Sequence, residues 1–169
     1  MFTFPKIIVI NIIVISINFG GITLKLQDSA GYLIVNTGRK LTQNLTQLFQ
    51  THNLTSEQWS LLVSLHNEEG ISQKELAERT EKDPANVTRI LDQLERKGLV
   101  RRVTNPEDRR SFRMFVTEAG REAAVELMPV EAQFVQDILI DIPQAEIEAF
   151  KAFMQKVNRN IERRRVAAE

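Results

Sequence analysis

Between Ser72 and Arg113 the apolar repeat of the chain changes period. It steps by three and four residues as far as Leu94, then by two after Gly98. Two short helices across a tight turn, followed by a hairpin, leave few ways to close a core. Ser72 and Glu75 have the spacing of a capping box, with Leu76 and Ala77 facing inward and a helix end near Thr80. Asp83-Pro84 then puts an N-cap before a proline at the first helical position, a strong start signal. Val87, Ile90, Leu91 and Leu94 form the buried stripe of this second helix, and Gly98 supplies a left-handed stop. Leu99–Val103 and Ser111–Val116 read as strands around the turn formers Asn105-Pro106-Glu107-Asp108. Helix, turn, helix is the layout in which the second helix enters the DNA major groove. Away from the stripe, the front of that helix carries Pro84, Ala85, Asn86, Thr88 and Arg89, small or hydrogen-bonding residues suited to a groove.

Formal net charge is zero, so a surface for nucleic acid has to come from local segregation. From Arg89 to Arg113 the basic residues are Arg89, Arg96, Lys97, Arg101, Arg102, Arg109, Arg110 and Arg113, against Asp92, Glu95, Glu107 and Asp108. This two-to-one local surplus is an electrostatic footprint for phosphate. Cysteine is absent, which excludes disulfides, thiolate metal sites and thiol redox sensing. No glycine-rich phosphate loop, nucleophile elbow or metal-ligand cluster occurs, so neither an enzyme nor a metal or cofactor is expected.

From Gln27 to about His52, Ile34, Leu41, Leu45 and Leu48 share one helix face, and Tyr32, Leu33 and Phe49 widen it beyond what one burial surface needs. Gly38 costs that helix roughly 1 kcal/mol relative to Ala. Thr55 and Gln58 form another capping box, and Trp59, Leu62, Val63 and His66 line one side of the helix that Gly70 closes. Thr117-Glu118-Ala119-Gly120-Arg121 caps a helix running to about Ile140 with a bend at Pro129. Asp141-Ile142-Pro143 opens the last helix, with Asp141 or Ile142 near the cap. Its residues Ile147, Phe150, Met154, Val157 and Ile161 make a coiled-coil-like seam that Phe153 extends. So much apolar surface near a chain end needs a partner, and the first long helix has a matching excess. The expected fold is mainly α (α+β): a winged helix-turn-helix domain over 53–121, with a helical dimerisation region from 27–52 and 122–165.

Residues 1–23 differ in character, with no charge between Lys6 and Lys25. Polar and glycine residues interrupt the run, leaving its solidly apolar part shorter than a bilayer core requires. No small-x-small cleavage site follows it. An extra strand or oligomer contact is a further reading, since Ile and Val favour extended structure. The favoured reading is translated upstream sequence: residues of AT-rich codons, then Gly20-Gly21 as an in-frame ribosome-binding sequence, with the true start near Leu24.

Several stretches together resemble the MarR family of winged-helix transcription regulators. They are Leu54–Trp59, Ser72–Ala77, Asn86–Leu91, Leu94–Val100, the wing Asn105–Arg110 and Val116–Arg121. The resemblance covers about Gln27 to Ile161. It implies a cytoplasmic homodimer that represses a pseudo-palindromic operator in double-stranded DNA, with recognition helices in successive major grooves and wings in the flanking minor grooves. Asp108-Arg109-Arg110 fits the family's wing pattern, with Arg110 as the minor-groove residue and Asp108 as the carboxylate that orients it. Asn86 is suited to adenine and Arg89 to guanine or phosphate, while Ser72, Gln73, Lys74 and Thr88 would position the backbone. The resemblance also implies relief by a small aromatic or anionic effector between the dimer helices and the winged domain. Tyr32, Phe49 and Trp59 are the candidates to line its cleft, with core packing as the competing role. No stable membrane association is expected. The alternatives are a winged-helix protein-interaction module that has lost DNA binding, and a membrane-tethered regulator resting on residues 1–24.

Overall fold

The structure, a computed structural model, describes residues 16–19, 22–25, 29–108 and 111–167. Ser16–Phe19 (β1) and Ile22–Lys25 (β2) pair antiparallel, with Ser16 opposite Lys25 and Ile17 opposite Leu24. The rest of the 1–23 segment lies outside the described residues, so its upstream-sequence reading does too. Among the described residues no helix is long and apolar enough to cross a membrane.

Helix α1 spans Ala30–Leu48, its start capped by the Ser29 hydroxyl, which accepts from the Tyr32 N–H at 3.2 Å. The helix expected to reach His52 instead tightens into a 3-10 turn over Phe49–His52 and stops at Asn53, whose φ of 52° is left-handed. Asparagine tolerates that region better than most residues. Helix α2 (Ser56–Asn67) starts with the expected reciprocal capping box between Thr55 and Gln58. Its end runs through Gly70, at φ +77°, into a two-residue strand, β3 (Ile71–Ser72). Helices α3 (Gln73–Arg79) and α4 (Pro84–Arg96) follow, and Gly98 at φ +71° turns the chain out of α4. Strands β4 (Val100–Thr104) and β5 (Phe112–Val116) pair antiparallel from Val100–Val116 to Thr104–Phe112. With β3 added through Ile71 opposite Met114, the sheet order is β3-β5-β4. Strand β3 has no signature in the sequence, because two residues carry no period.

The core of this region consists of Trp59, Leu61, Leu62 and Leu65 from α2, Leu76 from α3, Val87, Ile90, Leu91 and Leu94 from α4, and Met114 and Val116 from β5, all nearly inaccessible. Hydrogen-bonded elements pack their apolar stripes on one another, so burial supplies the driving force and the caps fix where each element begins. Helix α5 (Glu118–Ile138) is tied in at its start, where the Thr117 hydroxyl donates to the Gly98 carbonyl at 2.6 Å and accepts from the Gly120 N–H at 3.1 Å. A Cβ at Gly120 would lie 2.1 Å from the Leu99 carbonyl oxygen, so this close approach admits only glycine.

The chain divides into two compact units, 1–124 and 125–169, at a point inside α5. The second holds the remainder of α5, helical through Pro129, and α6 (Gln144–Val166). Between them Asp141 takes a φ of 60°. The Pro143 carbonyl accepts from Glu146 and Ile147, so α6 opens slightly later than Asp141 or Ile142 would place it. Along α6, Phe150, Phe153 and Ile161 are exposed.

Candidate nucleic-acid interface

Ser72 starts α3 through its hydroxyl oxygen and its backbone N–H. Its hydroxyl accepts from the Glu75 N–H at 3.1 Å, and its own N–H donates to Glu75 Oε2 at 2.7 Å. The backbone N–H first, and the hydroxyl second, hold the Glu75 carboxyl below the usual carboxylate range. Gln73 is half-buried on the first turn of α3, and Lys74 reaches into solvent, 4.0 Å from Glu78.

At the front of α4, Asp83 Oδ1 accepts from the Ala85 and Asn86 N–H groups at 2.9 and 3.1 Å. The Asp83 carboxylate is thereby spent on the helix start rather than left facing a phosphate. Pro84, Ala85, Thr88 and Arg89 are exposed and Asn86 is partly so. Thr88 donates its hydroxyl to the Pro84 carbonyl at 3.0 Å, and Arg89 Nη2 donates to Asn86 Oδ1 at 2.8 Å. This last bond matters chemically. A bidentate pair with adenine uses both the amide oxygen and the amide NH2. The amide oxygen has a second lone pair, so Asn86 can accept from adenine beside Arg89 or in exchange for it.

The wing is a network closed by backbone and side chains. The Asn105 N–H donates to the Ser111 carbonyl at 3.0 Å and the Ser111 N–H to the Asp108 carbonyl at 2.9 Å. Asn105 Oδ1 accepts from the Glu107 N–H and from Arg113 Nε, both at 3.2 Å, and Arg113 Nη2 lies 3.1 Å from Glu107. Asp108 is exposed at the tip. Arg110, expected to carry the minor-groove contact, and Arg109 beside it lie outside the described residues.

Side-chain pairing redistributes the basic surplus counted along Arg89–Arg113. Arg102 spans Asp92 and Glu95, each at 2.6 Å, and Arg113 takes Glu107. Arg102 and Arg113 therefore brace the hairpin. Among the described residues of that stretch, Arg89, Arg96 and Arg101 make no ion pair, and Arg101 lies over the Phe115 ring at 5.0 Å. Sequence counting sees charges but not which of them are already paired.

The three aromatic ligand candidates are not brought together. Phe49 and Trp59 are buried against each other, ring centroids 5.1 Å apart and planes at 42°. Tyr32 lies on the exposed first turn of α1, about 25 Å back along the axis at the helical rise per residue. Sequence reading also missed a polar cluster behind α4. Gln58, read only as a capping residue, accepts at Oε1 from the Thr55 N–H at 3.2 Å and from Lys97 Nζ at 2.7 Å, and donates from Nε2 to Gln93 Oε1 at 2.8 Å. Lys97 donates as well to the Asn53 carbonyl. A buried glutamine two residues into a helix has no distinguishing pattern in sequence.

Residues 54–112 match the model of the MarR family. An HTH-type transcriptional regulator, SarZ of Staphylococcus haemolyticus, is 30% identical over 72% of this chain and 81% of its own. A mutant MarR from E. coli complexed with operator DNA is 26% identical, with a TM-score of 0.70 over 75% of this chain and 91% of that one. The PcaV transcriptional regulator from Streptomyces coelicolor, in complex with its natural ligand, is likewise 26% identical, with a TM-score of 0.69 over 81% and 96%.

Proposed function

The chain belongs to the MarR family and is a DNA-binding transcriptional regulator, and from that premise we propose a homodimeric repressor of a pseudo-palindromic operator, relieved by a small anionic or aromatic molecule. The observation that carries this reading is the front of α4. Asn86, Thr88 and Arg89 face outward there, bonded to each other and to backbone, with the Asp83 carboxylate consumed as the N-cap. A helix tip of this composition can exchange its internal hydrogen bonds for base edges at little cost, because each donor and acceptor finds a new partner in the groove.

In this reading Asn86 contacts adenine, Arg89 guanine or a phosphate, and Ser72, Gln73, Lys74, Thr88 and the tip residues Pro84 and Ala85 set the helix against the backbone. Arg110, oriented by Asp108 and flanked by Arg109, enters the minor groove. Two-fold pairing supports a palindrome, with recognition helices about 34 Å apart on successive turns. The exposed Phe150, Phe153 and Ile161 support the pairing itself. The relatives that hold operator DNA and a natural ligand support both the operator and the effector. A repressor of this kind works where the chromosome is, in the cytoplasm.

Selection of genomic fragments by the purified protein tests the proposal, and an enriched sequence with inverted half-sites is the expected result. In gel-shift titrations on that sequence, Arg110→Ala should lose roughly 1–3 kcal/mol, and Asn86→Ala should relax preference at one base pair of each half-site. Recovery of no enriched sequence, or unchanged affinity and base preference in both variants, would overturn it.

A further inference from the structure

Val116, Met114 and Phe112 alternate along β5 onto one face of the sheet, opposite Val100, Arg102 and Thr104 of β4. Val116 and Met114 are buried on that face, while Phe112, the outermost of the row, is 44% exposed. Among the described residues of 53–121 it is the one large apolar side chain that stays exposed. The same face is anchored to α4 at Arg102. Its N–H donates to Glu95 Oε1 at 3.1 Å, and its guanidinium spans Glu95 and Asp92, the latter nearly one turn closer to the front of α4. Phe112 and Thr104 stand two residues, about 7 Å, beyond this anchor toward the wing tip at Asp108. The ring therefore sits between the anchor on α4 and the tip of the wing.

In the DNA-binding reading above, α4 lies in the major groove and the wing tip in the adjoining minor groove. One sugar–phosphate strand separates two adjoining grooves, so the protein between α4 and the wing tip has to cross it. We propose that the Phe112 ring packs on a deoxyribose of that strand, a salt-independent contact that sets the spacing between recognition helix and wing. The inference rests on that reading. A phenyl ring offers no hydrogen bond to a phosphate, whereas the C–H face of a deoxyribose gives it apolar surface to cover. A ribose would present its 2′-hydroxyl instead. The carboxylates on this stretch of α4, Asp92 and Glu95, are paired with Arg102, so the phosphates that flank the sugar meet neutralised acids. Arg89 and Arg110 act through charge and hydrogen bonds; Phe112 adds a contact of a different kind, and the two kinds separate in salt.

Hydroxyl-radical footprinting reports the accessibility of each deoxyribose, and the duplex selected by the wild-type chain is the probe. Wild type is expected to protect sugars of the strand between its major-groove and minor-groove contacts. Phe112→Thr keeps a strand-forming residue and removes the ring. It should open one or two of those sugars in each half-site, leave the rest of the footprint intact, and weaken binding roughly tenfold. The slope of log affinity against log salt should stay the same, because no phosphate contact is lost. Phe112→Leu, which keeps apolar surface, should restore the protection and most of the affinity. A shallower salt slope in Phe112→Thr overturns the proposal, because the ring would then only hold the hairpin that carries the phosphate contacts. So does a shift in sedimentation of the DNA-free variant, since a second copy of the chain would then be what covers the ring. A wild-type chain that protects no duplex sinks the DNA-binding reading and this contact together. A protected duplex whose footprint is identical in Phe112→Thr sinks the contact alone.

Discussion

The core of the winged region and helix α6 treat apolar surface in opposite ways. In the winged core the apolar stripes of α2, α3 and α4, with Met114 and Val116 of β5, are buried almost completely, Trp59 included at 2% exposure, while Phe112 at the start of β5 is 44% exposed. Along α6 Phe150 is 60% and Ile161 61% exposed, although their spacing is as regular as that of Val87, Ile90, Leu91 and Leu94. Helical periodicity therefore says that a stripe will be buried, not by what. The winged unit is stabilised from within its own chain, whereas the α6 stripe has to be covered by a surface that periodicity does not identify. A second copy of the chain is the cover proposed here, and the difference between the units can be tested in order of effect.

Truncation inside the winged core should have the largest consequence. Leu94 is fully buried on α4, and Leu94→Ala should cost roughly 2–5 kcal/mol through lost burial and a residual cavity. Urea unfolding followed by Trp59 fluorescence measures it, and the loss should not depend on protein concentration. A cost under about 1 kcal/mol would mean that the core is less self-contained than its burial suggests.

Phe150→Asp comes next and should behave in the opposite way. It places a charge on a stripe that a partner must desolvate, forfeiting roughly 1.5–3 kcal/mol of burial per protomer. Wild type should sediment as a dimer with a melting point that rises with concentration, and the variant should shift toward monomer while the winged unit keeps its fold. A wild-type chain that sediments as a monomer at every concentration would remove the contrast between the two units.

How far sequence could see follows the same division. Local chemistry was legible: both capping boxes, the Asp83-Pro84 start, the left-handed stop at Gly98 and the hairpin all rest on interactions within a few residues. What depends on contact across the chain was not. β3 is strand only because Met114 and Arg113 sit opposite Ile71 and Ser72. Arg102 counts toward the local basic surplus in sequence, but Asp92 and Glu95 take it up, and Gln58 reads as a cap alone where Gln93 and Lys97 also close on it. Tyr32, Phe49 and Trp59 were grouped by residue type, and the length of α1 separates the first from the other two. The family resemblance carried the wing roles of Asp108, Arg109 and Arg110, which no periodicity could supply.

The smallest effects belong to single caps, and they sharpen the contrast because a cap acts within one chain. Ser72→Ala removes the acceptor for the Glu75 N–H and should cost about 1 kcal/mol, the same at any protein concentration. Its partner adds a pH signature. Glu75 is held below the usual carboxylate range mainly by the Ser72 backbone N–H, a donor that alanine keeps. A depressed carboxylate contributes stability that is complete above its unfolded pKa and is lost as pH falls through the folded one. Wild type and Ser72→Ala should therefore lose stability with similar steepness below about pH 4.3, and Glu75→Gln less steeply. On α6 Glu148 is depressed by its bond to Lys151, so Glu148→Gln supplies the matching measurement in the other unit. If α6 is covered by a second chain, acid should erode the Glu148 contribution together with dimerisation, making it visible in sedimentation. The Glu75 contribution should appear in unfolding alone, and a Glu75→Gln variant that shifted the monomer–dimer equilibrium instead would show that the winged unit is not independent of the partner.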